Sequence, residues 1–197
     1  AEGIFSIKYK TDALALRNYA KGKQNAVIIG GGVLGLEAAD ALQELGLNIT
    51  VLEVADRLMP RQLDESTSSF ISNILAERKI DVRTGVQVQE IINSNGQVSG
   101  VKLADETINA DVVVISAGVR ANTQLATMAN IETNHGIVVN NQMQTSVADI
   151  YACGDVAEFE GISTNLWAPA IDQGKVAGIN AVGDHAEFSN KVEPLSL

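Results

Sequence analysis

The 197-residue sequence predicts an α/β fold in which a parallel sheet carries an inserted antiparallel meander. Residues 25–53 indicate a strand, a glycine turn, a helix and a second strand, because a β-prone run precedes glycines and then apolar residues at helical spacing. Those apolar residues are Leu34, Ala38, Leu42 and Leu45. Residues 80–108 instead alternate apolar and polar side chains and contain the hairpin signal Asn95-Gly96. This change of period predicts two kinds of sheet in one chain.

The other elements of the first part are predicted from the same signals. Residues 1–24 are interpreted as a lead-in segment with a short helix that Thr11 would cap. A longer helix is predicted over 64–79, with Asp64 as its N-cap. Three apolar residues are predicted on its buried side: Phe70, Ile71 and Leu75. Residues 111–118 are typical of a further buried strand of the parallel sheet.

The last third of the chain has a different character. It predicts a short helix over 121–131, two short strands over 136–140 and 149–153, and a helix over 169–183 that Pro169 opens. Small residues on one side of this helix would permit close packing: Gly174, Gly178 and Ala181. These elements are expected to be too few to close an apolar core of their own.

Composition excludes several classes of protein. Apolar residues make up 46% of the chain, and the net charge of −10 argues against a nucleic-acid or anionic-membrane surface. No apolar run approaches the roughly 18 residues of a membrane span, and the first residues do not resemble a signal peptide. One cysteine and two separate histidines give neither a disulfide nor metal-ligand spacing. A cytoplasmic protein without a metal site is therefore expected.

The most informative motif is G-x-G-x-x-G, formed by Gly30, Gly32 and Gly35 after the first strong strand. Gly30 would allow the tight turn, Gly32 the close approach of a pyrophosphate, and Gly35 close helix–strand packing. The start of the following helix offers unpaired N–H groups to phosphates. Dinucleotide contacts are therefore predicted for six consecutive residues: Gly30, Gly31, Gly32, Val33, Leu34 and Gly35.

Charged residues after the second strand bear on the choice of dinucleotide. Glu53 follows Gly30 by 23 residues, where a carboxylate can accept hydrogen bonds from ribose hydroxyls. Arg57 and Arg61 come soon afterwards and can instead pair with a 2′-phosphate. Because Glu53 would repel that phosphate, NAD(H) is predicted and NADPH is disfavoured, with Arg57 kept as a candidate cofactor contact.

Three motifs together resemble the FAD-dependent pyridine nucleotide–disulfide oxidoreductase superfamily. They are GGGVLGLEAA at 30–39, DVVVISAGVRAN at 111–122 and TSVADIYACGD at 145–155. The likeness is greatest to its NADH oxidase, rubredoxin reductase and nitrite reductase branch. It implies an NAD(H)-binding domain over 25–118, with a Rossmann-like parallel sheet, and the C-terminal portion of an FAD-binding domain over 119–197.

The resemblance also implies roles for individual residues. Glu37 matches an acid that faces the nicotinamide–flavin junction and is the candidate catalytic residue. Asp155 matches the aspartate that binds the ribityl chain of FAD. Gly118, Gly154 and Ala170 belong to the motifs around the flavin, the last in a helix whose N-terminus is aimed at the flavin ring. Cys153 matches a small buried position and is given no redox role.

The activity implied by the resemblance is hydride transfer from NADH to FAD and then to an unidentified electron acceptor. Family members carry a preceding segment with another G-x-G-x-x-G for the ADP half of FAD, and no such motif precedes Asn25 here. The chain is therefore interpreted as an interior piece, for which self-association through uncovered surfaces is a further expectation. The alternative is a non-catalytic dinucleotide-binding module that never carries flavin.

Overall fold

A five-stranded parallel sheet organises the first part of the chain. Its strands are β1 (Ile4–Phe5), β2 (Asn25–Ile29), β3 (Asn48–Leu52), β4 (Asp81–Arg83) and β8 (Val112–Ile115). The order across the sheet is β1-β8-β2-β3-β4, and all neighbours run parallel. The computed structural model describes residues 1–189, so the end of the predicted second segment, 190–197, lies outside the described residues. The chain forms two compact units, of which the first ends at Gly118 and the second begins at Val119.

β2 lies where the strand order of the sheet reverses, which is its topological switch point. From β2 the chain continues to β3 on one side, whereas β8 returns from later in the sequence to the other side. Ligands of open parallel sheets bind at the carboxyl ends of strands at such a switch point. The turn that leaves β2 begins at Gly30, so the glycine motif occupies this position.

A three-stranded antiparallel sheet is inserted between β4 and β8. Its strands are β5 (Glu90–Ser94), β6 (Gln97–Lys102) and β7 (Thr107–Asn109). Asn95 and Gly96 join the first two strands with positive φ angles of 54° and 84°. Two successive positive φ angles define the type I′ turn, whose twist matches that of a hairpin. The predicted parallel sheet with an inserted meander is confirmed.

Helices and the meander cover opposite faces of the parallel sheet. The helices are α1 (Lys10–Tyr19), α2 (Val33–Glu44) and α3 (Glu65–Glu77). Ala26 and Ile28 belong to an apolar cluster that includes residues of all three helices, whereas Val27 belongs to a cluster with Val98 and Val101 of β6. Because side chains alternate along a strand, these clusters lie on the two faces of the sheet. The first unit therefore has three layers.

The helix after the β3 loop has its predicted cap but a different buried face. The Asp64 carboxylate accepts a hydrogen bond from the Thr67 N–H at 2.8 Å, which confirms Asp64 as the N-cap. Leu75 is buried, but Phe70 is 63% exposed, so its predicted burial is wrong. The inward face instead includes the buried Ser68, whose hydroxyl donates to the Leu58 carbonyl at 3.0 Å. Ser68 is tolerated on the buried face because its hydroxyl has this backbone partner.

Residues 1–24 form elements of the first unit and are not a separate lead-in. β1 extends the parallel sheet beside β8, and Leu16 of α1 lies in the helix-side apolar cluster. The predicted Thr11 cap is wrong, because α1 begins at Lys10. Asp12 instead accepts hydrogen bonds from the backbone N–H groups of Lys8 and Tyr9 at 3.0 and 2.8 Å.

The second unit is smaller and has an apolar cluster of its own. Its elements are α4 (Gln124–Met128), β9 (Ile137–Val139), β10 (Ala157–Phe159) and α5 (Trp167–Ala181). β9 and β10 pair in parallel. The cluster joins Val139, Phe159, Val176 and Phe188 with other buried residues. The expectation that this part could not close a core is therefore wrong, because loop residues such as Met143 complete what the short elements begin.

Two local predictions for the second unit also fail. The segment 149–153 is not a strand, since Tyr151 makes only an isolated bridge with Gln144. The small-residue side of α5 packs against nothing among the described residues, because a Cβ on Gly174 or Gly178 would meet no atom within 4 Å. The buried side of α5 is defined by Gln173, Val176, Ala177 and Asn180.

Candidate dinucleotide-binding site

The glycine turn between β2 and α2 is shaped by three different glycine contacts. Gly30 has φ +113°, and a Cβ there would overlap the carbonyl oxygen of Ser116. A Cβ on Gly35 would overlap the carbonyl oxygen of Gly30, so α2 and the turn touch through backbone atoms. A Cβ on Gly32 would meet nothing within 4 Å. Two glycines therefore close the turn, and the third leaves open space above it.

The start of α2 presents backbone donors beside this open space. Gly32 is the N-cap in extended conformation, and the first intrahelical bond runs from the Leu36 N–H to the Gly32 carbonyl. The N–H groups of the first helical turn therefore lack intrahelical partners. Val33 and Leu34 in that turn are 48% and 63% exposed. Such a helix start, with its partial positive charge, can bind an anionic phosphate.

Glu53 lies directly after β3 and contacts the glycine turn. Its Oε2 accepts a hydrogen bond from the Gly31 N–H at 2.6 Å, and its Oε1 accepts one from the Ala55 N–H at 2.8 Å. The residue is half-buried, and each carboxylate oxygen keeps a further lone pair for a ligand. The structure therefore brings together the glycine turn and the acid that the sequence placed 23 residues after Gly30.

Arg57 lies in the loop after β3 and is engaged by neighbouring residues. Its guanidinium contacts the Asp56 carboxylate at 3.3 Å and donates to the Pro60 carbonyl at 3.3 Å. Its Nε is buried and has no hydrogen-bond partner among the described residues. The depression beside it is also lined by Glu65 and Ser66. One carboxylate and one backbone carbonyl therefore already engage the guanidinium of Arg57.

Glu37 is exposed on α2, four residues after the first helical residue. It lies at the edge of an apolar groove lined by Val33, Leu36 and Met59. Within the described residues no ion pair of Glu37 is found, whereas Asp40, one turn later, pairs with Arg78. The geometry leaves the Glu37 carboxylate accessible but gives it no partner that would define a chemical role.

The second unit brings together Gly154, Asp155 and Ala170. Gly154 begins a short 3₁₀ turn with φ +75°, and a Cβ there would lie 3.7 Å from the Ala170 Cβ. Asp155 is exposed in this turn. Gly118, the last residue of the first unit, also has a positive φ of 84° and is exposed. Cys153 is exposed within the described part of the chain, so its expected burial is not observed.

Two buried polar residues of the second unit escaped the sequence interpretation. Gln173 is 1% exposed, and its Oε1 accepts the Gly154 N–H at 2.8 Å. Glu158 is 3% exposed and accepts hydrogen bonds from the Asn134 amide and the Gly136 N–H. The Asn134 amide, with the backbone N–H groups of Gly136 and His135, lowers the pKa of Glu158 against the opposing effect of burial. The helical spacing of Gln173 with Val176 and Asn180 was the available signal for its burial.

The described part of the chain has neither a membrane-spanning helix nor a cluster of metal ligands. No helix in residues 1–189 is both long enough and apolar enough to cross a bilayer. The same residues contain no group of three or more acidic, histidine or cysteine side chains positioned to hold a metal ion.

Comparison with known proteins places this geometry in a family. The chain is 37% identical over 183 residues to a nitrite reductase [NAD(P)H] of Bacillus subtilis, covering 92% of this chain and 23% of that protein. It is 38% identical over 189 residues to an NADH-rubredoxin oxidoreductase of Clostridium acetobutylicum, covering 96% of this chain and 46% of that protein. The chain thus spans less than half the length of these two relatives.

A solved structure has the same fold. A crystal structure of an FAD-dependent pyridine nucleotide-disulphide oxidoreductase from Desulfovibrio vulgaris matches with a TM-score of 0.78 and 34% identity, covering 94% of this chain and 50% of that one. The family model described as pyridine nucleotide-disulphide oxidoreductase matches residues 1–174. With the glycine turn, the acid after β3 and the inserted meander, this match shows that the chain belongs to the pyridine nucleotide-disulphide oxidoreductase family.

Proposed function

We propose that this chain supplies the NAD(H)-binding domain of a flavin-dependent oxidoreductase that passes a hydride from NADH to FAD and then to an electron acceptor. One observation carries the proposal. The open space above Gly32, the unpaired N–H groups at the start of α2 and the Glu53 carboxylate lie together at the end of β2. A pyrophosphate and an adenosine ribose need those groups in that arrangement.

In the proposed complex, each part of the turn has one task. The N–H groups around Val33 and Leu34 bind the pyrophosphate, and Gly32 leaves room for its approach. Glu53 accepts hydrogen bonds from the ribose hydroxyls through its remaining lone pairs. Together these contacts would orient the dinucleotide so that its nicotinamide is held for hydride transfer, which is a positioning role.

NADH is the proposed cofactor, with NADPH disfavoured. A 2′-phosphate would meet the negative charge of Glu53, and Arg57 is already engaged by Asp56 and the Pro60 carbonyl. An arginine with these contacts has fewer free donors for a phosphate than a solvated one. Arg57 is therefore proposed to shape the loop beside the adenosine, and it stays a candidate cofactor contact.

The second unit is proposed to contribute the later part of a flavin site. Gly154, Asp155 and Ala170 are the proposed contacts, with Gly118 at the connection to this unit. The residues fit such a group in one respect: the turn at Gly154 has its N–H fixed by Gln173 while the Asp155 carboxylate stays exposed. FAD, when bound, supplies the hydride-accepting ring. Asp155 would bind and orient it, and Glu37 would face the junction of the two rings.

The electron acceptor and the location are open proposals. One relative is named for rubredoxin and another for nitrite, so a small redox protein or a further redox centre of the same protein are both candidate acceptors. A cytoplasmic location is proposed from the single cysteine of the chain. The rival function is a dinucleotide-binding module without flavin, which the same glycine turn would serve equally well.

Calorimetric titration of the 197-residue polypeptide with NADH and NADPH tests the dinucleotide site. We expect NADH to bind more tightly; tighter binding of NADPH would reverse the assignment and make Arg57 a phosphate ligand. We also expect this polypeptide to be colourless and inactive in dye reduction. Its single G-x-G-x-x-G is proposed to bind NADH, so the contacts to the ADP half of FAD are lacking and flavin affinity, which depends on the sum of its contacts, should be low. Stoichiometric FAD in the polypeptide would contradict this.

The full-length protein separates the two functions. A yellow protein with one FAD per chain and NADH-dependent dye reduction is the expected result for the oxidoreductase. A colourless full-length protein that binds NADH without reducing a dye would instead support the binding module.

A further inference from the structure

We propose that Gly31 is a positioning residue for cofactor selection, because its missing side chain allows Glu53 to be fixed as the ribose acceptor. The inference rests on the proposed NAD(H) site and concerns how that site distinguishes NADH from NADPH. Gly31 occupies a variable position of the G-x-G-x-x-G motif, so the motif itself does not require a glycine there.

Gly31 is held through both of its backbone polar groups by the segment after β3. Its N–H donates to Glu53 Oε2 at 2.6 Å, and its carbonyl accepts from the Met59 N–H at 3.1 Å. The other Glu53 oxygen accepts the Ala55 N–H at 2.8 Å. Both carboxylate oxygens thus have backbone donors, which orient the charged group before any ligand arrives.

Space at Gly31 is limited by the same segment. A Cβ there would lie 2.5 Å from Leu58 Cδ2, 3.1 Å from Glu53 Cβ and 3.3 Å from Glu53 Oε2. Leu58 is 0% exposed and belongs to the helix-side apolar cluster, so it has little freedom to move. A methyl group at this position would therefore push on Glu53 and weaken its bond to the turn.

The position of this carboxylate affects the two cofactors in opposite ways. With NADH, a fixed carboxylate accepts hydrogen bonds from the ribose hydroxyls. With NADPH, the same negative charge repels the 2′-phosphate. Displacing Glu53 therefore lowers NADH affinity and removes part of the repulsion of NADPH. General damage to the turn would instead lower both affinities, because both cofactors share the pyrophosphate.

Calorimetric titration with NADH and with NADPH gives the ratio of their affinities, which is the deciding measurement. For Gly31→Ala we expect the preference for NADH to fall about tenfold, the change expected when a hydrogen bond to a charged group is lost. Gly32→Ala is the matched control, since its methyl faces the pyrophosphate and should lower both affinities by the same factor. A Gly31→Ala preference equal to that of the wild type would overturn the proposal.

A double-mutant cycle tests whether Gly31 acts through Glu53. In a Glu53→Gln background, adding Gly31→Ala should leave the affinity ratio unchanged, because the charged acceptor is already absent. An equally large change in both backgrounds would show that Gly31 acts without Glu53, which contradicts the proposal. Glu53→Asp keeps the charge but is one methylene shorter, so we expect its preference for NADH over NADPH to fall as it does in Gly31→Ala. Full selectivity in Glu53→Asp would show that the fixed position is unnecessary.

A rescue variant guards against simple misfolding. Leu58→Val removes the Cδ atoms that the new methyl would meet, so Gly31→Ala combined with Leu58→Val should regain most of the NADH preference. Failure of the ratio to recover in this folded double variant would contradict the steric argument. If the wild-type chain binds neither cofactor, the proposed function itself is wrong. If it binds NADH selectively and Gly31→Ala keeps that selectivity, only the role of Gly31 is wrong.

Discussion

The two glycine turns of this chain are held in different ways. In the first unit, Gly30 and Gly35 are needed because backbone closes directly on backbone, where any Cβ would overlap a carbonyl oxygen. In the second unit, Gly154 has ordinary space around it, and its N–H is held by the side chain of Gln173, 19 residues later. Each turn also has one N–H bonded to a distant side chain, Gly31 to Glu53 and Gly154 to Gln173, but only the first turn is closed by contacts between backbone atoms.

In the first turn, different glycines therefore determine the backbone conformation and the space for a ligand. Inside the first turn, Gly35 closes the structure whereas Gly32 leaves the space for a ligand, although both belong to one motif. The second turn has no such internal division, because its conformation requires both the positive φ of Gly154 and the Gln173 oxygen. Substitutions in the two turns should consequently give different patterns of stability and binding.

The largest expected effect is that of Gly35→Ala on the stability of the first unit. The new methyl overlaps the Gly30 carbonyl oxygen, a backbone atom that cannot move aside without shifting α2 from β2. We expect a loss of about 3 kcal/mol or more, at the upper end of overpacking effects. Urea unfolding followed by circular dichroism measures it. An unchanged midpoint would mean that helix and turn are not in backbone contact.

The next largest effect is that of Gly32→Ala on binding. Because a Cβ at Gly32 has open space, the free energy of unfolding should change by only about 0.5 kcal/mol, as expected for an N-cap glycine. NADH affinity should fall at least about tenfold, since the methyl occupies the path of the pyrophosphate. Calorimetry and thermal unfolding on the same sample test both halves. Unchanged affinity would place the dinucleotide elsewhere.

A smaller effect is expected for Gln173→Met in the second unit. Methionine has a similar size but no strong acceptor for the Gly154 N–H, and a buried donor without a partner costs about 1–3 kcal/mol. Hydrogen exchange at the Gly154 amide should accelerate, while the first unit keeps its stability. Lys175→Met is the matched control, because Lys175 lies exposed on the same helix in a surface pair with Asp172. Equal exchange in the two variants would contradict a holding role for Gln173.

The smallest effect is the acid sensitivity that Glu158 gives to the second unit. Its pKa is lowered in the folded state, chiefly by the Asn134 amide, so its stabilisation is complete above the ordinary glutamate pKa of about 4.3. That stabilisation is lost as the pH falls through the lower folded-state value. Glu158→Gln should therefore flatten the dependence of second-unit stability on pH below about 4.3. Urea unfolding at several pH values measures this, and an unaltered slope would contradict it.

Local sequence signals predicted those features that depend on neighbouring residues. The Asn95-Gly96 hairpin and the Asp64 cap are both confirmed, because a turn type and a helix cap are decided within about four residues. The predicted burial of Phe70 and the predicted packing at Gly174 were wrong, because both depend on elements that are distant in the sequence. Periodicity tells which residues share a face, but it does not tell which face meets another element.

Long-range partners were beyond the reach of the sequence. Residues 1–24 looked separate because nothing local indicates that β1 pairs with β8, more than a hundred residues later. The cluster of the second unit was missed for a similar reason, since Met143 and Phe188 join it from outside regular elements. The buried Gln173 carried a helical-spacing signal, but its partner Gly154 became apparent only in the folded chain.

The sequence by itself determined the succession of strand, glycine turn, helix and strand over residues 25–53, the inserted meander, and the acid that follows β3. These follow from local conformational preference and from side-chain period, which adjacent residues carry. The tertiary structure alone decided that Gly31 and Glu53 bond to each other and that Gln173 holds Gly154. Such pairs lie 22 and 19 residues apart, and they meet only after parallel strands and packed helices have brought their backbones together.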